Sequence, residues 1–317
     1  MRYIEKLDSQ FKISIPPDED GLVGRECPAP ECESYFKIQL GTGLKGENLP
    51  CHCPYCGHTA GQDKFFTKAQ LEYAKSIVLN QVTGALLKDL KSLEFNHRPR
   101  GAFSIGISMK VAGQPTPIRY YREEQLETEV ICEQCTLRYM IYGVFGFCPD
   151  CGEHNSLQIL DKNLELVLKM LDMASSADGE LRKRVVENAL EDCVSAFDGF
   201  GREICRVHAD KSSEPTRAEK VSFQNLDGAK QNFNGLFNVN LSAGLTDEEW
   251  KTAIRDFQKR HLLSHTMGVI DEEYVRKSGD VQAVTGRKIN VGADEVRELV
   301  RILGKLAHEV SSALRGT

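Results

Sequence analysis

Residues 258–271, QKRHLLSHTMGVID, bring Arg260, His261 and His265 into one short stretch. An imidazole moves protons near neutral pH or ligates metal, and a guanidinium grips an oxyanion with a planar fork. On a helix, His261 and His265 are four apart and share a face, whereas Arg260 and His265 lie about 140° apart around the axis. A histidine pair at this spacing could hold a metal. A zinc hydrolase of the HExxH kind needs Glu directly after the first His, and Leu262 stands there, so that chemistry is excluded. An electrostatic account also exists, since cations near a helix C-terminus complement its dipole.

Eight of the eleven cysteines form a second chemical group. Cys27 and Cys32 with Cys53 and Cys56 make one quartet, and Cys132 and Cys135 with Cys148 and Cys151 make another. Paired-cysteine knuckles joined by a strand-rich spacer suit tetrahedral zinc, and four-thiolate sites are closed and structural. Two structural Zn2+ ions per chain are expected, each stapling a module too small to hold a core by itself. The first quartet has spare candidates in Cys51 and His58, so its ligand set stays open at this point. The spacer TLRYMIYGVFGF (136–147) offers either stacking faces for bases or a hydrophobic skin over a small core. Cys193 and Cys205, at helical spacing among apolar residues, read as buried small hydrophobes.

These residues must be positioned by something, and the composition limits what. The chain has 317 residues, 41% of them hydrophobic, and a formal charge of −6. That charge argues against wholesale coating of nucleic acid but leaves room for a local phosphate site. The longest apolar run, YMIYGVFGF (139–147), is too short to span a bilayer, and no signal core opens the sequence; no membrane partner and a cytoplasmic location are expected. FKISI and SYFKIQL alternate like strands around the first ribbon. A helix is predicted at 67–93 with Thr67 as N-cap, and NHRPRG (96–101) reads as a connector. AFSIGISMKV and ETEVICEQC give strands leading into the second ribbon. Helices follow at about 162–175, 180–208, 222–237, 246–266 and 293–314, with a loop or short hairpin around 278–291. Thr246 and Glu249 form a capping box that starts the helix carrying the Arg/His stretch. Gly199 and Gly201 in DGFGRE follow no strand, so a dinucleotide fingerprint is not supported. The expected fold is α+β: a zinc ribbon at 1–66, a helix and connector at 67–98, a second ribbon at 99–160 and an all-α domain at 161–317.

RHLLSH resembles the motif of the HEPN superfamily of helical domains, an arginine followed by a polar residue and, after three more residues, a histidine. Arg260, His261 and His265 occupy those positions, late in the helical region as in that family. The resemblance covers about 162–317. It implies a HEPN-like helical bundle and a metal-independent endoribonuclease, with His265 as base or acid, Arg260 on the scissile phosphate and His261 assisting. It also implies a homodimer through the helical domain, with RNA in the groove between copies. The function expected on this reading is that of a bacterial defence or toxin effector whose zinc ribbons recognise the substrate or a trigger. Other members of the superfamily are inactive adaptors, so a non-catalytic nucleic-acid- or protein-binding module is the alternative. A third reading makes the ribbons the working part of a transcription- or translation-associated factor.

Overall fold

The computed structural model describes residues 2–7, 10–46, 48–97 and 107–316. The chain is α+β and divides into two compact units, Met1–Glu153 and His154–Thr317. Most of the NHRPRG connector, and the start of AFSIGISMKV, lie outside the described residues.

In the first unit β1 (Leu22–Glu26), β2 (Tyr35–Gln39), β7 (Thr128–Ile131) and β8 (Arg138–Ile141) make one antiparallel sheet in the order β1-β2-β8-β7. β3 (Pro50–His52) pairs with β4 (Thr59–Gly61), and β5 (Phe95–His97) with β6 (Ile107–Met109). The sheet joins the two expected ribbons: Lys37 faces Met140 and Ile38 faces Tyr139 across the β2–β8 seam. One pair of each quartet, Cys27 with Cys32 and Cys132 with Cys135, therefore sits at the turn of a hairpin in this one sheet, within one compact unit. Residues 11–15, FKISI, form no strand, although alternate side chains are half-covered. Period-two alternation reports an extended chain with one face shielded, and Pro16 and Pro17 immediately afterwards bring no N–H to a ladder. Within the aromatic spacer, Leu137, Tyr139 and Ile141 point into the core and are essentially inaccessible, which fits the hydrophobic-skin account of those positions.

α1 (Lys68–Lys91) starts at the Thr67 cap, whose hydroxyl accepts from Gln70 N while the Gln70 side chain accepts from Thr67 N.

The second unit is helical: α2 (Ser156–Ala174), α3 (Gly179–Val207), the short α4 (Pro215–Ala218), α5 (Leu226–Phe237), α6 (Asp247–Thr266), α7 (Glu272–Ser278) and α8 (Ala293–Gly316). α2 packs on α3 and α8, and α6 packs on α3, α7 and α8. The core is built from Leu160, Leu164 and Leu171 of α2, Leu190 and Phe197 of α3, Phe257 of α6, and Leu299, Leu303 and Leu306 of α8. Cys193 and Cys205 are fully buried in it, as small hydrophobes should be. α7 falls where sequence periodicity gives no helix. It is set by its caps: Asp271 accepts from Tyr274 N at 2.7 Å, and Gly279 ends it at φ +62°.

Candidate functional site

Each cysteine quartet converges. The four Sγ atoms of Cys27, Cys32, Cys53 and Cys56 lie within 4.8 Å of one another, and so do those of Cys132, Cys135, Cys148 and Cys151. Neighbouring sulfurs are 3.7 Å apart for Cys27–Cys56 and for Cys32–Cys53, 3.6 Å for Cys132–Cys151 and 3.4 Å for Cys135–Cys148. A disulfide would need about 2.05 Å, and all eleven cysteines are unpaired. The knuckles are alike in backbone. The residue after each second cysteine has positive φ: Glu33 (+43°), Gly57 (+70°), Thr136 (+63°) and Gly152 (+71°). In three of them an N–H returns to the first cysteine's carbonyl, Gly57 to Cys53, Thr136 to Cys132 and Gly152 to Cys148. These turns aim both thiols of a pair at one point. Cys51 and His58 stay outside the clusters; Cys51 is buried apart from them, and the His58 carbonyl accepts from Cys53 N. Burial pushes the Cys27 and Cys135 thiols well above their ordinary range, so ionising them calls for a compensating cation.

The Arg/His stretch occupies the last turns of α6. Thr246 and Glu249 close the capping box at its start, and the Glu249 carboxylate also pairs with Arg301 and Lys305 of α8. That triple engagement holds the Glu249 carboxyl down at about 2, chiefly through the Thr246 N–H. At the other end Met267 is left-handed and Gly268 N returns to Leu262 O at 2.9 Å. Leu262 and Phe257 are buried, fixing the rotation of the helix. His261 and His265 are exposed, with ring centroids 4.5 Å apart. Arg260 is half-buried and looks elsewhere: its Nη1 donates to Gln224 Oε1 at 3.5 Å, and its buried Nε has no partner. The two histidines are thus brought together, and the arginine is held on a different face. Among the described residues, groups of three or more His, Cys, Asp or Glu with metal-binding spacing are confined to the two quartets, so the histidine pair lacks a third ligand.

Two features escape sequence reading. Asp198 on α3 accepts from Phe223 N at 2.6 Å, Ser222 Oγ at 3.1 Å, Gln224 Nε2 at 3.3 Å and Arg202 Nε at 2.9 Å, tying residues 222–224 to α3 beside Arg260. One turn before Arg260, Asp256 is fully buried beside the Glu295 carboxylate, and Arg255 Nε stands 4.0 Å away. Lys259 and Glu295 complete the cluster at 2.5 Å from one another. Burial, then the Glu295 carboxylate, raise the Asp256 carboxyl far above the carboxylate range. Neither set has a spacing signature, because each is completed by residues distant in sequence: 222–224 and Arg260 for Asp198, Glu295 for Asp256.

A cleft of about 690 Å³ lies at the α6 C-terminus, lined by Leu263, Met267 and Gly268 and by both signs of charge, Lys183, Arg184 and Lys288 against Asp178, Glu180 and Glu187. No helix of the described residues is long and apolar enough to cross a membrane. Comparison of the chain with protein-family models, with curated proteins and with solved structures found no match.

Proposed function

We propose that the chain is a metal-independent endoribonuclease of HEPN type, with its chemistry at Arg260, His261 and His265 and with two structural zinc ions in the first unit. The observation that carries this reading is the exposed His261–His265 pair, rings 4.5 Å apart, on the same helical turns as a half-buried Arg260. RNA supplies its own nucleophile. A neutral imidazole takes the proton of the 2′-hydroxyl as that oxygen bonds to phosphorus; the bond to the 5′-oxygen breaks, and a protonated imidazole gives that oxygen its proton. The products are a 2′,3′-cyclic phosphate and a 5′-hydroxyl, and the Arg260 guanidinium steadies the charge on the phosphorane. His265 is assigned one transfer and His261 the other or the orienting role.

Zinc suits the quartets because a tetrahedral site with Zn–S of about 2.3 Å requires sulfurs about 3.8 Å apart. Eleven unpaired cysteines suit a reducing, cytoplasmic setting, and a defence role would be compatible with it. Arg260 and the two histidines lie on different faces of α6 in one chain, so a homodimer with two α6 C-terminal halves around a shared cleft is part of the reading, with RNA bound there. The test is to mix Arg260→Ala and His265→Ala chains: recovery of cleavage in the mixture supports a composite site. RNA binding by wild-type chain without any cleavage selects the adaptor reading instead.

A further inference from the structure

Arg260 reaches the proposed site through a chain of contacts that begins on another helix. Asp198 is buried near the middle of α3 and takes four donors, Phe223 N, Ser222 Oγ, Gln224 Nε2 and Arg202 Nε. The same segment is seated by packing: a Cβ on Gly201 would lie 2.3 Å from the Phe223 ring, so the ring rests against bare helix backbone there. Residues 222–224 are therefore fixed twice, by the carboxylate and by the glycine cradle. Gln224, the exposed end of this segment, turns its amide N–H to Asp198 at 3.3 Å and its carbonyl to Arg260 Nη1 at 3.5 Å.

We infer that Gln224, oriented by Asp198, is the positioning residue for Arg260. The inference rests on the reading of Arg260 as the phosphate-binding group. Chemistry dictates the amide's orientation, since a carbonyl cannot face a carboxylate and an NH2 cannot face a guanidinium. The choice of an amide matters. A carboxylate at 224 would orient Arg260 equally well but would neutralise the charge a scissile phosphate needs, whereas a neutral carbonyl orients it and leaves the charge in place. The Asp198 charge is already offset by Arg202 and by three neutral donors. The contact occupies one Arg260 N–H, so a phosphate oxygen can bind the remaining donors of the fork without displacing it.

The experiment is single-turnover cleavage of a labelled single-stranded RNA of mixed sequence by the full-length zinc-loaded chain. Gln224→Met keeps the side chain's length and, being exposed, should leave thermal unfolding unchanged. It should lower the cleavage rate constant by about tenfold or more with RNA affinity nearly unaltered, because a misplaced group damages the transition state more than binding. Gln224→Glu should weaken RNA binding instead, with a steeper salt dependence. Asp198→Asn presents an NH2 to Gln224, forces the amide to turn over, and should reproduce the Gln224→Met rate loss; its unfolding curve separates this from misfolding. Wild-type rates in Gln224→Met, with Arg260→Ala inactive, would overturn the positioning role alone. A wild-type chain that cuts no RNA in the same assay removes the nuclease reading, and this role with it.

Discussion

His261 and His265 stand one helical turn apart with ring centroids 4.5 Å from each other, both open to solvent on α6. Two imidazoles this close suit acid and base work when one is neutral and the other protonated. His265→Ala should lower RNA cleavage by about 10²-fold or more. Its thermal unfolding should move little, because an exposed side chain leaves no cavity. Full cleavage by this variant removes His265 from the mechanism.

Zinc analysis of the purified chain should give two ions. Because β2 pairs with β8, the quartets share one sheet, so Cys132→Ser should lose one ion and also lower the temperature at which the other is released. Independent release of the second ion would show that the seam carries no coupling.

The DGFGRE stretch makes opposite predictions for its two glycines. A Cβ at Gly199 meets nothing within 4 Å, so Gly199→Ala should stabilise α3 by up to about 1 kcal/mol through helix propensity. At Gly201 the same gain is opposed by a methyl driven into Phe223, overpacking that costs about 1–3 kcal/mol, and Gly201→Ala should be net destabilising. Chemical denaturation of the two variants checks both signs.

Asp256 gives a pH signature. Its folded pKa is raised, first by burial and then by Glu295, so above about pH 4 the unfolded chain has released a proton that the native chain keeps. This contribution is fully present below the unfolded pKa. It declines by up to about 1.4 kcal/mol per pH unit as pH rises toward the folded value. Glu295, whose pKa is depressed, is ionised in both states over that range and adds no slope. Asp256→Asn, which removes the titrating group, should therefore flatten the loss of stability between about pH 6 and about pH 8 seen in wild-type melts. Identical slopes in both proteins would contradict the assignment.

Much of this architecture is legible locally. Thr67 and Thr246 announce their helices because a cap uses residues three apart, and the cysteine quartets announce their turns through knuckle spacing. What is hidden is non-local. The β2–β8 pairing joins residues about a hundred positions apart, and no period in either segment records its partner. The reach from Asp198 through Gln224 to Arg260 likewise spans two helices and a loop. α7 has seven residues, too few for a helical period to emerge, and is held by Asp271 and Gly279. The start of α2 at Ser156, before the expected 162, follows from burial of Ser156 and Leu160 on the same face.

A nuclease of this kind would carry its chemistry in Arg260, His261 and His265 without a catalytic metal. Total RNA incubated with purified protein in EDTA, followed by end-group analysis, tests it directly. Fragments ending in 2′,3′-cyclic phosphate, or its opened product, with 5′-hydroxyls should be made by wild-type chain and be absent with His265→Ala. Intact RNA in EDTA from a chain that still holds both zinc ions, or cleavage that needs added magnesium and leaves 3′-hydroxyl ends, would contradict it.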